Sequence, residues 1–162
     1  MRTYFASLAV LLALSPFAAL ASGKTAMPTP DTTAITRQLE RYEQALNNSD
    51  VDAVMRLYSD DAVFMPQHSL PVAGTGAIRS TYQHIFKTIR LSIDFTIDEI
   101  QPLSRDWAFA RTRSNGTAKV LASDGPAGAE ANQEIFLLHR GKDGQWRFAR
   151  YIFSTTNPPR QP

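Results

Sequence analysis

A chain of 162 residues with 17 Lys plus Arg against 15 Asp plus Glu carries a formal charge of only +2, too even a balance to gather nucleic acid or an anionic membrane by its field. It has no cysteine, which excludes a disulfide framework and thiol chemistry. The length suits one ordinary domain and is too short for two.

The N-terminus has a single cation, Arg2, followed by an uncharged stretch over residues 3–21 whose centre, residues 6–14, is almost wholly apolar. These are the charged and apolar regions of a secretory signal peptide. Ala19 and Ala21 flank Leu20 as small residues do at a cleavage site, so the cut is expected between Ala21 and Ser22. Ser15 and Pro16 interrupt the stretch before it reaches the roughly 18 to 20 apolar residues of a membrane span. The mature product is therefore expected in the periplasm or outside the cell, with no membrane association once the signal peptide is removed. Arg2 is the only charge lost with residues 1–21.

Residues 22–30 are small, polar and proline-bearing, which predicts a flexible lead. The folded domain is expected over residues 31–156 and a disordered, proline-rich tail over 157–162. Thr29-Pro30-Asp31 supplies a helix start: an oxygen for the cap, proline in the first turn and an anion at the positive helix end. Ile35, Leu39, Tyr42 and Leu46 then fall on one face of a helix running to about Asn47. Asn47 to Asp50 stops it and caps a second, short helix with Val54, Leu57 and Tyr58 as its apolar stripe. A brief strand over residues 62–65 ends at Pro66, a loop covers residues 67–76, and a third helix over residues 77–87 carries Ile78, Tyr82, Ile85 and Phe86.

From Ile89 the period changes from about 3.6 to 2, the mark of strands. Leu91, Ile93, Phe95 and Ile97 alternate with polar residues. Trp107, Phe109, Arg111 and Arg113 alternate with Ala108, Ala110, Thr112 and Ser114. Gly125, Pro126 and Gly128 mark a hairpin loop before residues 132–140, and Gly141-Lys142-Asp143-Gly144 is a tight-turn signal into residues 145–154. Helices first and a meander of four long strands afterwards predict an α+β domain with helices on one face of a curved sheet.

Arg41-Tyr42 through Asn47 and Asp50, Tyr58-Ser59-Asp60-Asp61-Ala62, Gly74-x-Gly76-x-Ile78 and Asp143-Gly144-x-Trp146 follow one another in an order that resembles the nuclear transport factor 2-like superfamily, and within it the SnoaL-like and ketosteroid-isomerase-like proteins. The resemblance covers residues 35–153. It implies a cone, with three N-terminal helices packed against a strongly curved, mainly antiparallel sheet and a mostly apolar pocket at the open end. Tyr42, Tyr58, Phe64, Met65, Tyr82, Phe86, Phe136 and Trp146 are the lining residues implied by this similarity, or simply core.

The same resemblance gives the isomerase roles a residue-by-residue test. Tyr42 matches the tyrosine that donates to the enolate oxygen, and Glu134 falls near the second donor, an acid kept protonated by an apolar setting. Met65, before Pro66, stands where the isomerase has its aspartate base, and a thioether cannot abstract a proton. His68 is either a substitute base or an exposed loop histidine. Arg150, by alternation, shares a face with Trp146, Phe148 and Ile152, where it would pair with Glu134 or an aspartate, or orient an acidic ligand. Arg111 and Arg113 suit a ligand role, a dimer contact or plain solvation.

His68, His84 and His139 have no metal-ligand spacing, and neither a G-x-S-x-G nor a phosphate loop occurs. No metal and no cofactor is expected. Three functions follow as expectations. The first is an exported domain binding a small apolar or amphipathic molecule. The second is a cofactor-independent isomerase, cyclase or dehydratase using Tyr42 with Glu134 or His68. The third is a dimerising scaffold, whose partner is a second copy of the chain.

Overall fold

The computed structural model describes residues 29–158; the expected signal peptide, residues 1–21, lies outside them. Helix α1, Pro30–Asn47, begins where Thr29 turns its hydroxyl to the amide of Thr32, and it buries Ile35, Leu39, Tyr42 and Leu46 as their spacing requires. Helix α2, Val51–Met55, is capped by the Asp50 carboxylate on the Ala53 amide at 2.9 Å. Tyr58 does not continue this helix. The Phe148 amide donates to the Leu57 carbonyl at 2.8 Å, and Tyr58 begins strand β1, Tyr58–Met65, paired in parallel with the last strand. Sheet pairing thus overrides the helical stripe that the sequence suggests.

The expected loop after Pro66 contains a two-residue strand β2, Val72–Ala73, which folds back on β1. Helix α3, Thr75–Thr88, buries Ile78, Tyr82 and Phe86. Four long strands follow: β3, Ile89–Pro102; β4, Trp107–Val120; β5, Gly128–Arg140; and β6, Trp146–Thr155. They form the expected antiparallel meander, and the sheet order is β2-β1-β6-β5-β4-β3. The helices fill the hollow of this curled, unclosed sheet, which gives the α+β cone.

Three local details set the geometry. Ala149 interrupts the alternation of β6: the register against β5 shifts between Leu137 and Leu138, so Trp146, Phe148 and Tyr151 point inward while Ile152 points out. Gly116 crosses Ile93 of β3 at φ +156°, with the Ser92 carbonyl oxygen 2.1 Å from where a Cβ would stand. On the free side of β3, Asn47 of α1 donates to the Ile93 carbonyl and accepts from the Ile93 amide, both at 2.8 Å, and Glu43 accepts from the Phe95 amide at 2.6 Å. These side chains take the hydrogen bonds that a further strand would have made.

Candidate functional site

The inner wall of the cone is built of aromatic rings with one polar patch. Alternation in β5 turns Asn132, Glu134, Phe136 and Leu138 inward, and β4 answers with Ala108, Ala110, Thr112 and Ser114. The small residues of β4 leave room for α1 and its Tyr42. That ring meets Phe136, Phe148 and Tyr151 edge-on at centroid distances of 5.3–5.9 Å. Phe64 lies stacked between Tyr82 and Tyr151 at 5.3 Å from each.

Within this apolar setting three hydroxyls form a chain. Tyr82 lies between Tyr42, at 2.6 Å, and Tyr58, at 2.9 Å. All three phenols are buried, and burial holds their pKa values well above 10.0. They are therefore neutral donors at physiological pH. Tyr151 is also driven up, first by burial and then by the nearby Glu134 carboxyl.

Glu134 is 2% exposed. Ser114 donates to one of its oxygens at 2.5 Å and Thr112 to the other. Burial raises its pKa above the ordinary 4.5, against the opposing pull of the two hydroxyls. Asn132, 7% exposed, donates its amide to Glu130 at 2.9 Å and to Ser114 at 3.4 Å, while its own Oδ1 is buried without a hydrogen-bond partner. Along this face burial relaxes from Phe136 through Glu134 and Asn132 to the half-exposed Glu130, so the polar patch is the part of the wall nearest the solvent at that end.

The candidates from the sequence separate into two groups. Tyr42, Tyr58, Phe64, Tyr82, Phe86, Phe136 and Trp146 are all buried in the core, with Glu134 on the same inner wall. Met65 and His68 are elsewhere: together with Ile152 and Phe153 they line a surface depression of about 470 Å³ at the ends of β1 and β6. His68 is exposed and has φ +59°. Arg150 is not on the face of Trp146 and Phe148. The Ala149 bulge turns it outward, where it donates to the carbonyls of Asp61 at 3.2 Å and Ala149 at 2.6 Å. Nor does it pair with Glu134. Arg111 and Arg113 hold Asp98 on the outer face at 2.7 and 2.8 Å.

Thr112, Ser114, Asn132 and Tyr151 of the inner wall were not among the candidates. The first three share the period-2 face of Glu134 or its β4 neighbour, a signal the sequence does contain. Tyr151 is hidden by the bulge. Among the described residues no group of carboxylates and histidines is arranged to hold a metal ion, and no helix is long and apolar enough to cross a membrane.

A bent six-stranded sheet wrapped on three helices, with tyrosines and a buried acid inside, is the nuclear transport factor 2-like architecture. The chain belongs to the SnoaL-like domain family, which it matches over residues 39–149. It is similar to a ketosteroid isomerase-like protein from Erwinia carotovora atroseptica SCRI1043, with 32% identity over 80% of this chain and 99% of that one and a TM-score of 0.76. A candidate scytalone dehydratase from Novosphingobium aromaticivorans DSM 12444 shares 22% identity over 78% of this chain and 85% of its own, with a TM-score of 0.70. An NTF-2 like protein from Shewanella oneidensis MR-1 shares 21% over 76% and 98%, with a TM-score of 0.59. The last two establish the shared fold.

Proposed function

We propose that this chain is an exported small-molecule-binding domain whose ligand, apolar or amphipathic, enters the aromatic interior at the Asn132 end and is read by the polar patch around Glu134. The observation that carries this reading is Asn132 Oδ1, a buried acceptor without a donor beside a buried acid. A core built for stability alone has no use for such a group, because burying an unmatched acceptor costs about 1–3 kcal/mol. A ligand hydroxyl supplies the missing donor. Tyr151 stacks on Phe136 and Phe153 at centroid distances of 4.3 and 5.8 Å, so the wall next to the patch is aromatic and suits an apolar body. Export is supported by the sequence of residues 1–21.

Thermal melting with 2-naphthol and with naphthalene tests the reading. The naphthol is expected to raise the melting temperature of the wild type more than naphthalene does, and Asn132→Leu is expected to erase that difference. Equal shifts in both proteins, or none in the wild type, would overturn it. The same geometry also frames the catalytic alternative, in which Tyr42 and a protonated Glu134 stabilise an oxyanion. Met65 has no basic group and His68 is exposed rather than buried with Tyr42 and Glu134, which supports binding as the function.

A second copy of the chain is the proposed partner of the outer sheet face. Ile135 and Ile152 pair directly across β5 and β6 and are 43% and 44% exposed, and Trp107 packs against His139, ring centroids 4.5 Å apart, further along the same face. Sedimentation equilibrium at micromolar concentration should show a dimer that Ile135→Asp converts to monomer. A monomeric wild type would exclude this contact.

A further inference from the structure

A cleft of about 420 Å³ lies between α1, α2 and the start of β6 and shares no lining residue with the Glu134 patch. Gln38, Arg41 and Ala45 of α1 and its C-cap Asn48 border it at spacings of three, four and three, one stripe of a helix. Arg56 follows α2, and Trp146 and Arg147 come from β6.

Gln38 is the unusual member. It is 4% exposed, yet it contributes nothing apolar to the core at its amide end. Its Nε2 donates to the Leu57 carbonyl at 3.2 Å and its Oε1 accepts from the Arg41 guanidinium at 2.8 Å. A buried amide, whose desolvation is unfavourable, is thus committed to fixing a surface arginine beside the end of α2.

The charges of the cleft are also uneven. Arg79, Arg105, Arg111, Arg113, Arg140, Arg147 and Arg150 each have a carboxylate partner. Among the described residues Arg37, Arg41, Arg56 and Arg90 have none, and of these Arg41 and Arg56 line the cleft. Asp52, which feels the charge of Arg56, is held by Arg79 at 2.5 Å. Asp50, the carboxylate on the cleft wall, is occupied in capping α2. Arg147 is gripped by both oxygens of Asp143, at 3.0 and 2.6 Å. Two guanidiniums without a direct ion-pair partner, one of them anchored from the core, therefore face a space of small-molecule size.

We infer that this cleft binds a small organic oxyanion, a carboxylate or a phosphate, held by Arg41 and Arg56. Guanidinium forks match the planar oxygens of either group and bond them with charge assistance. Titration calorimetry of the domain with citrate and with inorganic phosphate at low, constant chloride tests this and separates the two chemistries. Binding of at least one is expected, weakened about tenfold or more in the Arg41→Gln/Arg56→Gln double variant. The Arg37→Gln/Arg90→Gln variant removes the same charge from two other exposed, unpaired arginines, and is expected to bind within about twofold of the wild type. All four side chains are exposed, and thermal melts of both variants confirm that the fold is kept. No binding of either anion by the wild type, equal loss in both variants, or full binding by Arg41→Gln/Arg56→Gln would overturn the inference.

Discussion

Gly116→Ala is expected to destabilise the domain by about 3 kcal/mol or more and to lower its melting temperature by about 10 °C or more. A Cβ at this position would lie 2.1 Å from the Ser92 oxygen and 2.8 Å from the Ile93 Cα, both backbone atoms, at a φ of +156° that L side chains rarely adopt. Neither neighbour can yield cheaply. Ile93 is held on its other side by the two hydrogen bonds to Asn47, so moving β3 outward strains its contact with α1. Gly128→Ala, where a Cβ meets nothing within 4 Å, is the matched control and is expected to change stability by no more than about 0.5 kcal/mol. Urea denaturation of the two variants checks both statements. Similar midpoints would show that the β3–β4 crossing is looser than its geometry implies.

Glu134→Ala is expected to cost about 2–4 kcal/mol, because it leaves the buried hydroxyls of Thr112 and Ser114 without their acceptor. Glu134→Gln keeps an acceptor and removes the charge, which isolates the pH dependence. Burial places the folded-state pKa of Glu134 above its ordinary 4.5, so over that interval the folded protein holds a proton that the unfolded chain has released. The stabilisation linked to that proton is complete below a pH of about 4.5 and is lost as pH rises through the folded value. The unfolding free energy of the wild type minus that of Glu134→Gln should therefore decline from about pH 4 toward neutrality and then level off. A difference that rises with pH would mean that the two hydroxyls favour the carboxylate more than burial disfavours it.

Local patterns made much of this molecule legible. The apolar faces of α1 and α3 follow from the spacing of Ile35, Leu39 and Tyr42 and of Ile78, Tyr82 and Phe86. The inner wall around Glu134 follows from the strict alternation of β4 and β5. What the sequence could not show depends on partners distant in the chain. Tyr58 reads as a helical residue until Leu57 meets Phe148 and the parallel β1–β6 pair forms. Arg150 reads as inward until the register against β5 inserts Ala149 as an extra residue. A bulge is a property of two paired strands, so one strand's alternation does not reveal it. The hydroxyl chain through Tyr82 likewise joins three elements and has no local signature. The resemblance to the ketosteroid-isomerase-like proteins was sound for the family, and His68 is the exposed loop histidine that was one of its two expected readings.

The contact of Asn47 and Glu43 with β3 bears on how this chain behaves when crowded. An edge strand of 14 residues with an apolar side is a template on which another extended chain can grow, and proteins that fold in concentrated or unchaperoned surroundings need such edges blocked. Here the guard is a pair of polar side chains from the first helix, spaced one turn apart and aimed at alternate residues of the strand. Because α1 is made before β3 during synthesis, the guard is already on the chain when the vulnerable edge appears. Fraying of the last turn of α1 would unmask that edge, which makes the seating of the first helix a determinant of self-association as well as of stability.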